Sequence, residues 1–251
     1  MRREDGSIML QYERFETIMN KLQTRSSVRV TELSRELGVS ESTIRRDISD
    51  LDKAGRLQKV FGGAVSLTPI DIREKETIQA DEKSEVGAYA ASLIEDDDLI
   101  YIDAGTTTGS MIDHISCEGA TFVTNGARHA IRLAARGLKT YLVSGRMKAA
   151  TEAVIGYEAV GSLQKYHFSK CFIGTDGLDK ECGLTTADID ESMVKTEAIN
   201  RASEVYILAD SSKFGRVASI TFAPISAGTI ITDKLPDPQY RSQTEVIETE
   251  K

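Results

Sequence analysis

Few residue types occur here in numbers or spacings that would fix a chemistry. Cysteine appears three times in 251 residues, at Cys117, Cys171 and Cys182, an odd number with neither disulfide nor metal-ligand spacing. His114 and Cys117 are spaced to share a helix face, yet a lone pair of ligands makes no site. Hydrolytic triads and metal motifs are missing. No apolar run approaches the ~18 residues a membrane span needs, and no signal peptide is recognisable. Repeats and low-complexity segments are also missing. These absences argue against a disulfide scaffold, a zinc protein and a membrane protein. The expectation is a cytoplasmic chain with reduced thiols, no cofactor and no membrane partner.

What is present is ordinary in amount and uneven in distribution. Hydrophobic residues make up 40% and charged residues 28%, as in soluble globular proteins, and the length suffices for two domains. The net charge of −8 divides sharply: residues 1–65 hold 12 Lys and Arg against 10 Asp and Glu, and the remainder 19 against 29. Only the first part suits a phosphate backbone. Its mild excess of +2 predicts modest non-specific affinity for DNA, with dimerisation supplying the rest.

The stretch Thr31–Leu51 reads as two short helices around a tight turn. Leu33 and Leu37 fall one turn apart, Gly38 offers the left-handed exit, and Ser40 stands where the next helix needs an N-cap. Ile44, Ile48 and Leu51 give that helix one buried stripe. Ser42, Thr43, Arg45 and Arg46 occupy the other face near its start. An amphipathic hairpin with a solvated face has the same periodicity, but hydroxyls and cations at this position suit a helix-turn-helix whose second helix reads the major groove. Phe15, Ile18, Met19 and Leu22 predict a preceding helix, Val28–Val30 a short strand, and the residues around Gly62-Gly63 a basic hairpin. Such a wing would place Arg56 and Lys59 on phosphates.

Arg14, Ile18, the run Ser42-Thr43-Ile44-Arg45-Arg46-Asp47 and the closing Gly62-Gly63-Ala64 resemble the DNA-binding signature of DeoR-family regulators over about residues 12–65. Lys59 stands where such regulators usually carry Arg, and Phe61 where they usually carry His.

Residues 66–80, with Pro69 and a mixed-charge run, suit a connector; residues 1–11 suit a tail. From Asp81 onward, helical stripes alternate with short apolar runs: Leu99–Asp103, Thr121–Thr124, Thr140–Val143, Lys170–Ile173, Val205–Ala209 and Thr229–Thr232. About six such strands predict an α/β domain with a mainly parallel sheet covered on both faces. Ligands of such sheets bind beyond the carboxyl ends of the strands. There the sequence places Asp103 to Thr108, Thr124 to Gly126, Ser144 to Arg146, Gly174 to Gly177 and Asp210 to Lys213. Any one of these is unremarkable as a turn; five polar ends at one rim favour a small polar ligand. Gly105-Thr106-Thr107-Thr108 has the backbone freedom, hydroxyls and N–H groups to hold an anion, although a Thr-capped helix would look the same. Asp103 would repel a phosphate, so it either accepts ligand hydroxyls or braces the loop.

LIYIDAGTTT, FVTNG, FIGTDGLD, GLTTADIDESMVKTEAI and LADSSKFG resemble the effector domain of DeoR-family repressors, itself similar to phosphosugar isomerases. The resemblance implies that Gly105 to Thr108 take a phosphate while Asp103, Asn125, Asp176, Glu191, Lys195 and Lys213 line the sugar side. Ser144-Gly145-Arg146 replaces the usual Gly-Gly-Glu, so Arg146 either meets the ligand anion or faces solvent.

Asp176, Asp179, Glu181 and Glu191 include the carboxylates an isomerase would need. An attached DNA-binding domain makes a ligand-responsive repressor the simpler whole, and the acidic large domain argues against a general DNA-coating protein. The resemblance is strongest to repressors of fructose operons, implying fructose 1-phosphate as effector; lactose, galactitol and glycerol phosphate pathways are the neighbouring possibilities. The expected division is residues 1–11 tail, 12–65 winged helix-turn-helix, 66–80 linker and 81–251 sensor. The expected partners are operator DNA, a sugar phosphate and further copies of the chain, as dimer or tetramer.

Overall fold

The computed structural model describes residues 10–25, 27–67 and 72–249, without the side chains of 23–25 and 72–74. Residues 1–9 of the expected tail and 68–71 of the expected connector lie outside the described residues. The chain separates into two units, Met1–Ile70 with Arg216–Ser219, and Asp71–Gly215 with Ile220–Lys251.

In the smaller unit, α1 (Gln11–Arg25), β1 (Ser27–Arg29), α2 (Val30–Leu37) and α3 (Glu41–Lys53) precede a hairpin of β2 (Gln58–Val60) and β3 (Gly63–Val65). The predicted stripes converge: Ile18, Leu22, Leu33, Ile44, Ile48 and Leu51 are all buried in one core. Gly38 leaves α2 with φ 64°. Val30, expected in a strand, instead opens α2, and its N–H donates to the Gly62 carbonyl at 2.9 Å. The three strands lie in the order β1-β3-β2. Gly63 is required at its place, because a Cβ there would come within 2.0 Å of the Val28 carbonyl oxygen. Asp47, 1% exposed, accepts from Arg14 Nε at 2.6 Å and from its second guanidinium nitrogen at 3.0 Å, tying α1 to α3. Loss of one partner from a buried pair typically costs about 3–5 kcal/mol, so this contact decides how α3 is held.

The larger unit begins with α4 (Ile72–Thr77), which lies within the stretch expected to be a connector, and α5 (Ala80–Ser92). There follow β4 (Leu99–Ile102), α6 (Thr106–Ser110), β5 (Thr121–Thr124), α7 (Ala127–Ala135), β6 (Lys139–Leu142), β7 (Arg146–Lys148), β8 (Ala153–Ile155) and α8 (Tyr157–Leu163). The chain continues through β9 (Phe168–Gly174), β10 (Gly177–Asp179), β11 (Gly183–Thr186), α9 (Ile189–Asn200), β12 (Ala202–Leu208), β13 (Ile220–Ala223), β14 (Thr229–Thr232) and β15 (Val246–Glu248).

Seven strands, one more than expected, form a parallel sheet in the order β15-β14-β12-β9-β4-β5-β6. The added strand, β15, is a three-residue edge whose Val246-Ile247 pair is too short to read as an apolar run. Both faces are covered: Tyr101, Cys171 and Ile173 enter one core, while Ile100, Ile102 and Phe172 enter the other. The chain winds outward from β4 through β5 and β6, then returns to β9 and winds the other way. The carboxyl ends of β4 and β9 therefore diverge at a topological switch point, where open α/β sheets bind ligands. Two small antiparallel sheets, β7-β8 and β10-β11-β13, are additional to the predicted strands.

Candidate functional site

The smaller unit presents the start of α3. The Ser40 hydroxyl caps it, accepting from Thr43 N at 3.2 Å and lying 2.7 Å from the Ser42 hydroxyl. Ser42, Arg45 and Arg46 are exposed and Thr43 is half-buried. Arg45 pairs with Glu41 one turn earlier at 2.6 Å, whereas no ion pair engages Arg46 among the described residues. In the hairpin, Lys59 donates from its backbone N–H to Asp52 and from Nζ to Ser49, both at 2.9 Å, which pins the wing to the end of α3. Arg56 is exposed, 3.7 Å from Glu16. Phe61, 79% exposed, stands at the turn between β2 and β3.

At the switch point of the larger unit, one cavity is lined by Asp103, Gly105, Thr106, Thr107, Asp176, Glu191, Lys195 and Lys213 from the predicted set, together with Lys75, Thr151, Thr175 and Thr186. Asp103 is 1% exposed; its carboxylate accepts from Gly174 N at 3.1 Å and from Lys195 Nζ. Of the two roles open to Asp103, this geometry is the bracing one, closing β4 against β9. Burial pushes the Asp103 carboxyl up while Lys195 pulls it back; Lys195 loses to burial but gains more from Asp103 and Glu191 and is raised. Glu191 receives Lys148 Nζ at 3.1 Å and the Thr151 hydroxyl at 3.0 Å. Asp176 accepts from Lys75 Nζ at 3.1 Å and the Thr186 hydroxyl at 3.1 Å. Burial would raise the Asp176 carboxyl, but Lys75, Lys213 and Lys195 outweigh it and hold it well below the ordinary carboxylate range.

Two predicted residues do not line this cavity. Thr108 is fully buried and spends its hydroxyl on the Asp103 carbonyl at 2.6 Å. Asn125 is consumed at both ends, accepting from Ala104 N at 2.7 Å and donating to the Val154 carbonyl at 3.3 Å. Both are structural pins of the loop that presents Gly105 to Thr107. Arg146 is exposed and pairs with Asp190 at 2.6 Å, apart from the cavity lining. His114 and Cys117 have separate partners, Ser84 at 3.1 Å and Asp96 at 3.0 Å.

A second cavity, of about 320 Å³, shares Gly105 and Thr106 and is lined by Glu76, Lys83, Arg128 and Arg132, with His129 and Ser110 behind. None of these was singled out from the sequence. Lys83 carried a signal: it precedes Val86 by three positions and Ala90 by seven, so a cation lies on the buried stripe of α5. Burial and the nearby charge of Lys213 bring its ammonium down to about 8. His129 is 4% exposed, its Nδ1 has no hydrogen-bond partner among the described residues, and burial with Arg132 nearby lowers it to about 4, so the ring is neutral at neutral pH.

A capped reading helix on a winged three-helix unit, followed by an α/β unit with a cation-lined cavity at its switch point, defines a ligand-sensing DNA-binding regulator. The chain belongs to the DeoR family: the DeoR-like helix-turn-helix domain matches residues 14–69 and the DeoR C-terminal sensor domain residues 78–234. It is a transcriptional repressor and not an enzyme. The chain is 40% identical over 246 residues to the "Uncharacterized HTH-type transcriptional regulator FruR" of Bacillus subtilis (strain 168), covering 95% of this chain and 98% of the relative. It is 30% identical over 249 residues to the lactose phosphotransferase system repressor of Staphylococcus aureus (strain N315), covering 96% and 98%. Among solved structures, ribose 5-phosphate isomerase A of Neisseria gonorrhoeae aligns at a TM-score of 0.41 and 14% identity over 55% of each chain. Among the described residues no helix is long and apolar enough to cross a membrane.

Proposed function

We propose that this protein represses a sugar-utilisation operon and leaves its operator when a sugar phosphate, best fructose 1-phosphate, binds at the strand ends of the larger unit. The observation that carries this reading is the cavity at the β4/β9 switch point, where Lys75, Lys195 and Lys213 face Asp103, Asp176 and Glu191. The Gly105–Thr107 loop at its rim suits a phosphate, and the carboxylates, lysines and threonine hydroxyls suit sugar hydroxyls. The fructose assignment leans on the name of the Bacillus relative. Residues 12–65 act as the reader, 66–80 as the link and 81–251 as sensor and assembly domain. In the reader, Ser40 shapes the start of α3, Ser42, Thr43, Arg45 and Arg46 meet base edges, and Arg56 and Lys59 meet phosphates. The working form in the cytoplasm is a dimer or tetramer, because one recognition helix covers too few bases to define a genomic site. Exposed Tyr141 and Leu142 on the edge strand β6 are available for that assembly.

The test is a thermal-shift screen of sugar phosphates. Fructose 1-phosphate at 100 times its Kd should stabilise the protein by about 2.7 kcal/mol. Stabilisation by galactitol, lactose-derived or glycerol phosphates instead would reassign the effector. No response to any phosphorylated sugar would overturn the sensor reading.

A further inference from the structure

The two cavities lie on either side of Gly105-Thr106, and consecutive residues of α4 are pinned into them. Lys75 reaches Asp176 in the first cavity at 3.1 Å, and Glu76 reaches Arg128 in the second at 2.8 Å. The backbone joins the same arrangement, since Lys83 Nζ donates to the Lys75 carbonyl. Each pin therefore uses a group that an anionic polyol would claim for itself.

We propose that the Glu76 carboxylate occupies the phosphoryl subsite of the unliganded protein, formed by Lys83, Arg128, Arg132, Gly105 and Thr106, and that ligand phosphate evicts it and frees α4. The inference rests on the sensor reading above and adds an internal occupant of the phosphoryl subsite and the consequence of its eviction. Arg128 is already neutralised on its far side by Glu152, with contacts of 3.0 and 3.1 Å, and Arg132 by Asp113 at 2.9 Å. Among the described residues Glu76 is the one carboxylate that lines the second cavity. Lys83, largely buried with its ammonium on a carbonyl, is the cation there with most to gain from a dianion. Glu76 is exposed, so a dianion competes with a largely solvated carboxylate for Arg128. Once a phosphate takes these donors, Glu76 is repelled, and Lys75 faces ligand hydroxyls competing for Asp176. The segment that leads from the sensor to the reader then loses both pins.

The experiment uses the full chain with inorganic phosphate and with fructose 1-phosphate as probes. Glu76→Gln should bind inorganic phosphate about tenfold more tightly than wild type, the factor for an internal carboxylate occupying the subsite ~90% of the time. Amide exchange over 72–79 should rise in wild type on adding phosphate, and be already raised in Glu76→Gln without it. Glu152→Gln removes the same charge from Arg128 outside α4 and should leave that exchange slow. Failure of all sugar phosphates to bind, with phosphate still tighter on Glu76→Gln, would sink the sensor reading alone. Phosphate affinity not improved in Glu76→Gln, whether equal or undetectable in both, or exchange over 72–79 unmoved by phosphate, would overturn this proposal. Equal release of α4 by Glu152→Gln would overturn it as well, reducing the effect to general charge.

Discussion

Arg45 and Arg46 are adjacent in sequence but differ in circumstance. Arg45 must leave Glu41 before it can meet a base, while Arg46 is exposed with no ion pair to break among the described residues. If either makes a bidentate contact to guanine, alanine at that position should cost about 1–3 kcal/mol of operator affinity. Arg46→Ala should show the larger loss, since removal of Arg45 forfeits a contact that already had to displace Glu41. Operator titration checks this, and unchanged binding by the double variant would remove α3 from base reading. His129 governs a different property. Its folded value of about 4 lies below the ordinary 6.5, so on acidification the unfolded chain takes up the proton first. The contribution to stability is full above about pH 6.5 and is lost progressively toward pH 4, to a total of about 3 kcal/mol. Melting between pH 7 and 4 should therefore fall less steeply in His129→Gln than in wild type. Parallel curves would show that the buried ring titrates normally.

At the scale of elements, the loop from β4 into α6 is held by groups that the ligand need not touch. Thr108 closes on the Asp103 carbonyl, Asn125 on Ala104 N, and Asp103 itself on Gly174 N. Gly105 is extended, at φ −161°, and a Cβ there would meet only Thr108 Oγ1, at 3.2 Å. Its glycine is therefore not demanded by backbone strain, and a side chain would be added to the loop that lines both cavities. Gly105→Val should fold, with circular dichroism and operator affinity near wild type, yet lose its response to sugar phosphate. A variant that still responds at wild-type concentrations would place the anion elsewhere. Gly63 is the contrast: a Cβ there would collide with the Val28 carbonyl, so its substitution acts on the wing's pairing with β1.

For the whole molecule, the chain passes from the smaller unit to the larger at residues 70–71, and again on either side of Arg216–Ser219. Effector binding should lower operator affinity roughly 5- to 150-fold, the range of a coupling free energy of about 1–3 kcal/mol. A flexible Gly/Ser insert between residues 67 and 72 should leave effector binding intact and abolish most of that loss. The measurement is operator titration of both proteins with and without saturating fructose 1-phosphate. An equal loss in both would mean that the signal does not pass through the connector.

The sequence by itself determined the parts whose causes are local. Ser40, Gly38 and the Ile44–Ile48–Leu51 stripe specify the reading helix through capping, a left-handed exit and one apolar face, all within a dozen neighbours. Continuous apolar strands alternating with helices likewise specified a parallel sheet, and hence the rim where ligands bind. Tertiary structure alone decided which polar residues at that rim are pins and which are lining. Asn125 and Thr108 look as suitable as Thr106 in sequence, yet buried backbone groups nearby claim them first. It also supplied the cations. Lys75 meets Asp176 across 101 residues, and Arg128 with Lys83 enters the second cavity from separate helices. No periodicity records such meetings, because they follow from the order in which seven strands are wound around β4 and β9.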